Sequence, residues 1–404
     1  MKNGQGSPIR IAYLTALGVH KRGGTEKCSA WLIEDLAREH CVTVFADRVE
    51  DITTNNVKIT RVPTIARPSL FRFISFLVAS SLILVWKAFK GERFDIIHAT
   101  GADCFFANVI TAHFCQARWL ELRRSGVVRV PHRTLVQKAR YYLLHQPYAY
   151  LVRFLEQRIL AGQRVRVVVA VSEGLKRDLI QYYHLDPERI IVIPNAVDER
   201  VFLSERDRDE CRKAIREHHG LASDDLVLLF VAAGDWHRKG LPLLLKALSQ
   251  LPELNLKLLV VGGDDISLYR RMAAEIGVSQ RVVFAGFATD VRQYYAAGDI
   301  FVYPSSFEAF ALVTLEAAGS GLPIVATRVN GTEELIEDGV NGFFVQPDPG
   351  DIAAKITILA CDGQLRTRMG HKARQMVTRY SRQRLAQKVV NIYERVLDQD
   401  GDAD

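Results

Sequence analysis

Short apolar runs that alternate with amphipathic helical stretches along the whole chain restrict its folding more than any other feature. In the first half such runs fall at Ile9–Leu14, Val42–Phe45, Ile96–His98, Val109–Ala112, Val167–Val171 and Ile190–Ile193. In the second half they fall at Leu226–Ala232, Leu256–Val261, Val282–Ala285, Ile300–Tyr303, Ile324–Ala326 and Phe343–Val345. A short continuous apolar run is a strand covered on both faces, and the helix between two such runs is the crossover that parallel strands require. The pattern predicts an α/β architecture with two parallel sheets, one in each half. With 404 residues, 48% of them hydrophobic, the chain can bury two cores and exceeds one ordinary domain.

The turn Pro194-Asn195-Ala196-Val197-Asp198 and the charged stretch 204–219 divide the halves, giving an N-terminal domain over 1–203 and a C-terminal domain over 204–381. The helical stretch 382–398 carries Leu385, Val389, Ile392, Tyr393 and Val396 at helical spacing and must bury that face. It is assigned across to the first half, although the pattern alone fits packing on either.

The net charge of +7 is modest, but its distribution is not. Between Arg118 and Arg166 eleven Lys or Arg (Arg118, Arg123, Arg124, Arg129, Arg133, Lys138, Arg140, Arg153, Arg158, Arg164, Arg166) face two acids, Glu121 and Glu156, with Trp119, Tyr141, Tyr142, Tyr148 and Tyr150 interleaved. Such a block suits an anionic membrane surface. Nucleic acid is not expected as a partner, because no recognised binding module accompanies the charge. The six cysteines are scattered without metal spacing, so a reduced, cytoplasmic chain without structural zinc is expected, peripheral on the inner face of a membrane if the basic block docks there. No leader is expected, because the stretch 1–8 is polar. The apolar segment Phe73–Trp86, at fourteen residues, is shorter than the roughly 20 a spanning helix needs and reads as a buried core helix that could alternatively assist docking.

The chemistry concentrates in the second half. Glu308-Ala-Phe-Ala-Leu-Val-Thr-Leu-Glu316 places two carboxylates eight positions apart, between the strand ending at Tyr303 and a helix expected to start near Phe310. Were all of 308–316 helical, the carboxylates would stand roughly 12 Å apart at about 1.5 Å per residue, wider than the roughly 5–9.5 Å of a hydrolase pair. Separate hydroxyl contacts suit them better, with a solvated loop Glu and a helix-surface Glu as the bland alternative. The helix N-terminus at Phe310, Ala311, Leu312 and Val313 offers backbone N–H groups to a phosphate. Arg238 and Lys239 follow the strand Leu226–Ala232 on a loop where ligands of open α/β sheets bind, so they can meet a leaving phosphate or simply be solvated. Gly234, and Gly262 at the end of another strand, let a nucleotide approach the backbone or merely close tight turns. Near the N-terminus Gly23 and Gly24 precede a helix expected over Cys28–Glu39; their spacing is not that of a dinucleotide fingerprint. His98 and His113 sit at strand ends, where a histidine is either a satisfied structural residue or a neutral hydroxyl partner.

In this order the motifs resemble the retaining glycosyltransferases of family 4. The resemblance runs from Gly23-Gly24 through Phe94-Asp-Ile-Ile-His98, Val171-Ser-Glu173, Ile193-Pro-Asn-Ala-Val-Asp198, Arg238-Lys-Gly240, Val282-Val-Phe-Ala-Gly286, Pro304-Ser-Ser-Phe-Glu308 and Glu316-Ala-Ala-Gly-Ser-Gly-Leu-Pro323 to Glu334-Leu-Ile-Glu-Asp-Gly339. It implies the GT-B fold, two Rossmann-like doubly wound domains facing across a cleft with the donor in the C-terminal one. It also implies a nucleoside-diphosphate sugar as co-substrate, no cofactor and no metal. By resemblance Glu308 contacts the donor sugar, Glu316 the ribose, Lys239 and Arg238 the diphosphate, His113 the sugar, and Gly23 and Gly24 line the cleft. Two departures stand out: Ala233 occupies a position where many members carry Arg, and Ala311 replaces a usual glycine. The reaction implied is sugar transfer with retention onto an acceptor hydroxyl of a lipid-linked or cell-envelope glycan. A nucleotide-sugar epimerase of the same fold, or a silent nucleotide-sugar-binding protein, would use a similar pocket.

Overall fold

In a computed structural model that describes residues 7–20, 23–65, 67, 69–128, 143, 145–199 and 202–401, the apolar runs form thirteen strands in two sheets. The first sheet contains β1 (Arg10–Leu14), β2 (Cys41–Ala46), β3 (Val57–Arg61), β4 (Ile96–Thr100), β5 (Val109–Ala112), β6 (Val167–Ala170) and β7 (Ile190–Val192), all parallel, in the order β3-β2-β1-β4-β5-β6-β7. The second contains β8 (Leu226–Val231), β9 (Leu256–Val261), β10 (Val282–Gly286), β11 (Ile300–Tyr303), β12 (Ile324–Thr327) and β13 (Gly342–Val345), in the order β10-β9-β8-β11-β12-β13. Strand order reverses between β1 and β4 in one sheet and between β8 and β11 in the other. A doubly wound sheet opens its ligand crevice at such a reversal, because the flanking loops leave toward opposite faces.

Only β3 has no counterpart among the expected strands. Its residues Val57-Lys-Ile-Thr-Arg61 alternate and stay largely exposed at the sheet edge, so no continuous apolar run marks them.

Among the described residues, the helices of the first unit are α1 (Gly24–Leu36), α2 (Ser69–Phe89), α3 (Gln116–Arg124), α4 (Gln146–Leu160) and α5 (Glu173–Tyr183). Those of the second are α6 (Glu205–His218), α7 (Leu241–Ser249), α8 (Ile266–Glu275), α9 (Arg292–Ala297), α10 (Leu312–Gly319), α11 (Thr332–Leu335), α12 (Pro349–Cys361) and α13 (Gly363–Val377). The first unit closes at Asn195 and resumes at Arg382, so 196–203 group with the second unit and α14 (Arg382–Gly401) with the first. Val389, Ile392, Tyr393 and Val396 of α14 enter the first unit's core beside Ile11, Tyr13, Ile33 and Val44. At its start, buried Arg382 pairs with Asp35 (2.7 Å) and Glu34 (3.4 Å) of α1.

The helix α2 departs from the core-helix expectation. It runs 21 residues, longer than the apolar segment alone suggested, and is long and apolar enough by length and composition to cross a membrane. It buries only Phe76, Leu77, Ser80, Ser81 and Leu84. Phe71, Val78, Leu82, Val85, Trp86 and Phe89 are exposed, Phe89 to 91%, and recur at helical spacing along the opposite face.

Candidate functional site

The loops after β8 and β11 meet at the second sheet's reversal point. Trp236 anchors the first: its ring is fully buried, Nε1 donates to the Ala232 carbonyl (2.8 Å) and its backbone N–H donates to Asp264 (2.7 Å). The loop then presents Arg238 and Lys239 and turns into α7 at Gly240. With φ at +88°, and with a β-carbon there 2.1 Å from the Pro304 carbonyl oxygen, position 240 accepts only glycine. That close approach brings Lys239 onto the β11 loop.

There Glu308 is buried, contrary to the bland picture of a solvated loop charge. Its Oε1 accepts from Lys239 Nζ (2.5 Å), Ser305 Oγ (2.8 Å), Tyr303 Oη (2.9 Å) and Arg238 Nη1 (3.3 Å). None of these bonds reaches Oε2. Burial favours the neutral acid, but Lys239 and Arg238 bring the carboxyl below its usual range, so it is ionised at neutral pH. Burial lowers the Lys239 ammonium, against the pull of Glu308 and with Arg238 adding to the shift. Arg238 also donates to Asp235 Oδ2 (2.5 Å) and to the Phe307 carbonyl, and so ties the two loops together. Tyr303 and Ser305 were not singled out in the sequence, although Pro304-Ser-Ser306 marks the strand end that carries them.

Residues 308–311 are loop, and α10 begins at Leu312 rather than near Phe310, so the fully helical spacing of the two glutamates does not apply. No side chain caps α10: Ala311 occupies the N-cap, and Phe310 lies before it. Leu312 and Thr314 donate to the Phe310 and Ala311 carbonyls (3.0 and 2.9 Å), whereas Val313 N–H has no backbone acceptor among the described residues. Within α10, Glu316 accepts from Tyr295 Oη of α9 (3.0 Å), a partner no sequence motif signals. Gly262, at φ +125°, would place a β-carbon 1.8 Å from the Ala232 carbonyl oxygen, and Gly234 stands against Gly263. Gly262 is thus required to seat the β9 turn against the β8 loop, whatever ligand approaches.

The first unit, taken by itself, separates the two histidines. His98 lies inside β4, fully buried, between Tyr393 Oη (2.6 Å) and Thr111 Oγ1 (2.7 Å), and burial lowers it to about 3, so it is a neutral structural group. His113 follows β5; burial lowers it to about 4, and its buried Nδ1 has no hydrogen-bond partner among the described residues. Gly23 is the N-cap of α1 and Gly24 its first residue, four positions earlier than the helix expected over Cys28–Glu39. A β-carbon on Gly23 would stand 2.2 Å from the Glu26 carboxylate. Asp103, unnoticed in the sequence, bridges this sheet's reversal point by accepting from Ala16 N–H (2.8 Å) and Thr100 Oγ1 (3.3 Å). Of the basic block, Arg129, Arg133, Lys138 and Arg140, with Tyr141 and Tyr142, lie outside the described residues. Among the described residues no group of three His, Cys, Asp or Glu side chains is placed to hold a metal ion.

Comparison with known proteins adds to this geometry. Residues 22–201 match the family described as Glycosyltransferase Family 4, and residues 212–376 match Glycosyl transferases group 1. An uncharacterized glycosyltransferase of Methanocaldococcus jannaschii is 27% identical over 98% of this chain and 97% of its own length. D-inositol 3-phosphate glycosyltransferase 2 of Catenulispora acidiphila is 30% identical over 76% of this chain and 74% of its own. Among solved structures, Anabaena HepE in complex with UDP-glucose superimposes with a TM-score of 0.71 at 19% identity, covering 96% of this chain and 100% of that one.

Proposed function

Because the chain belongs to the family 4, group 1 glycosyltransferases and has their GT-B fold, we propose that it transfers a sugar, with retention at the anomeric carbon, from a nucleoside-diphosphate sugar to an acceptor hydroxyl. The observation that carries this reading is the buried Glu308 held by Lys239 and Arg238 at the reversal point of the second sheet.

In the proposed reaction the bond from the anomeric carbon to the diphosphate oxygen breaks, and the acceptor oxygen takes its place on the same face. The acceptor proton passes to the departing phosphate. Negative charge therefore grows on the diphosphate while the sugar carbon becomes positive. Lys239, Arg238 and the Leu312–Val313 end of α10 supply fixed positive charge for the first, without reorganising as the bond breaks. Glu308 Oε2 remains for a donor-sugar hydroxyl, and Glu316, which also accepts from Tyr295, is assigned to the ribose. His113, neutral and with Nδ1 unpartnered, is assigned to the sugar. Gly234 and Gly262 are assigned to the backbone beside the donor in the second unit, and Gly23 and Gly24 keep the role that the family resemblance implies. Arg238 already donates to Asp235, Phe307 and Glu308, so it offers only part of its guanidinium in place of the arginine absent at Ala233. The UDP-glucose bound by HepE supports a uridine-type donor as the first to test.

The assay is nucleoside diphosphate release from a panel of nucleotide sugars, with and without acceptor. Acceptor-dependent release is expected. Donor isomerisation without acceptor would instead identify an epimerase, and binding without turnover a silent receptor.

The outer face of α2 favours a membrane-bound acceptor. Its exposed apolar stripe ends at Trp86 and Phe89, and Lys90 sits 4.0 Å over the Trp86 ring. Helix α4 meets α2 through Phe73 and Tyr148 and exposes Phe154 beside Arg158. Apolar side chains flanked by cations suit an anionic lipid interface, where clustered cations contribute about 1 kcal/mol each. A lipid-linked or cell-envelope glycan is accordingly the proposed acceptor. Co-sedimentation with liposomes containing anionic lipid is expected, and equal recovery in the supernatant with and without lipid would remove this part.

A further inference from the structure

A second cationic pocket lies in the same unit, at the opposite ends of the strands from Lys239. Gly298 and Asp299 lead into β11 and Gly321 to Pro323 lead into β12, so the cavity of about 200 Å³ that they line sits at the N-terminal ends of the strands. Helix α6 contributes Arg208, and α13 contributes Arg366, His371 and Arg374 from one face. Two glycines allow the elements to converge. A β-carbon on Gly370 of α13 would stand 2.1 Å from the Gly321 carbonyl oxygen, and one on Gly321, at φ +76°, would stand 3.3 Å from Arg208 Nη1.

Charge in this pocket is not balanced. Asp209 acts on Arg208, and Asp299 lines the cavity, but the two oxygens of Asp299 are committed to Arg212 (2.6 Å), Arg216 (2.7 Å) and the Val227 N–H (2.7 Å). Glu205 also lines the cavity, at its exposed rim. Arg366 closes the end of α12 by donating to the Leu359 carbonyl (2.6 Å). Neither guanidinium of Arg208 nor of Arg374 has an ion-pair or hydrogen-bond partner among the described residues. Burial and the neighbouring charges of Arg212 and Arg374 push Arg208 below its usual range. Like charges gathered around a cavity, with their donors unspent, favour an anion between them.

We infer that this pocket binds a small phosphate-type oxyanion, held by Arg208 and Arg374 at a site separate from sugar transfer. Guanidinium forks match phosphate oxygens two at a time, and their gathered charge favours an oxyanion over an apolar ligand. The volume falls below the roughly 300–1,000 Å³ of pockets for drug-sized ligands, so a single phosphoryl group fits and a nucleotide does not.

The test is calorimetry and thermal melting with inorganic phosphate or glycerol 3-phosphate, at ionic strength matched with chloride. At tenfold excess over Kd, phosphate is expected to raise Tm by about 3–6 °C. The shift should persist in Lys239→Ala, which impairs the other anion site, and affinity should fall at least tenfold in Arg208→Gln/Arg374→Gln. Because removing like charges relieves repulsion, that variant should melt no lower than the parent without phosphate; Arg374→Glu, at an exposed position, provides an independent variant with the same expected loss. Binding of either probe with this dependence supports the inference, and tighter binding of the ester identifies the ligand as a phosphorylated metabolite. No effect beyond chloride, or an effect abolished by Lys239→Ala and kept in both arginine variants, would overturn it.

Discussion

Replacing Lys239 by Ala removes the shortest of the Glu308 contacts, 2.5 Å between side chains exposed to only 15% and 9%. Breaking a buried ion pair from one side usually costs about 3–5 kcal/mol, because the surviving charge stays desolvated. Here Arg238, Tyr303 and Ser305 still donate to Glu308, so the loss should be nearer 2–3 kcal/mol. For a unit spanning 196–381, that is a fall in Tm of about 5–10 °C. The loss depends on pH. In the parent, the depressed Glu308 pKa contributes stability above the unfolded-state value and loses it as pH falls through the folded value. In Lys239→Ala burial is less offset, so the deficit against the parent should grow as pH rises from about 4 to 7. The double variant Lys239→Ala/Glu308→Gln has no charge to strand and should recover most of the lost stability. It should not recover turnover, which is expected to fall by about 10²–10³ when a fixed donor to the leaving group is lost. Melts by circular dichroism at pH 5 and 8, together with diphosphate release, separate these effects. Equal destabilisation at both pH values, or turnover near that of the parent in Lys239→Ala, would refute the reasoning.

Other consequences can be measured separately. Glu156 is buried, accepts from Gln116 N–H (3.0 Å) and from Tyr183 Oη, and burial raises it to about 7. The unfolded chain ionises first, so stability is lost as pH rises from about 4.5 to 7; Glu156→Gln should gain up to about 3 kcal/mol at pH 8 and little at pH 4, read by urea denaturation. Gly240→Ala should displace the β8 loop from Pro304 and lower turnover at least tenfold without removing a charged group, and unchanged kinetics would show that the loop tolerates the shift. Leu82→Ser/Trp86→Ser/Phe89→Ser removes exposed apolar surface from α2 and should weaken liposome binding while leaving Tm within about 1–2 °C. Arg382→Ala strands Asp35 and Glu34 and should cost about 3 kcal/mol or more in the first unit, seen as an earlier thermal transition.

Twelve of the thirteen strands were legible as apolar runs because a parallel strand covered on both faces must be apolar along its length. The edge strand β3, half in water, carries no such signature. Lys239 and Glu308 could be picked out as charges on loops that follow strands, and Glu316 by its spacing from Glu308. Their partners could not. Tyr295 reaches Glu316 from another helix, and Asp103 reaches Ala16 across 87 positions. Nothing local distinguishes those residues from ordinary ones.

Local sequence therefore determined the α/β class and the positions at which charge concentrates, since apolar periodicity and loop chemistry act over a few residues. Tertiary structure decided which charges are buried together. Glu308 became a paired carboxylate rather than a solvated one because Gly240 seats against Pro304, and α2 kept an apolar face exposed because none of the described elements of its unit covers it. Burial and pairing are properties of distances between remote segments, which periodicity does not encode.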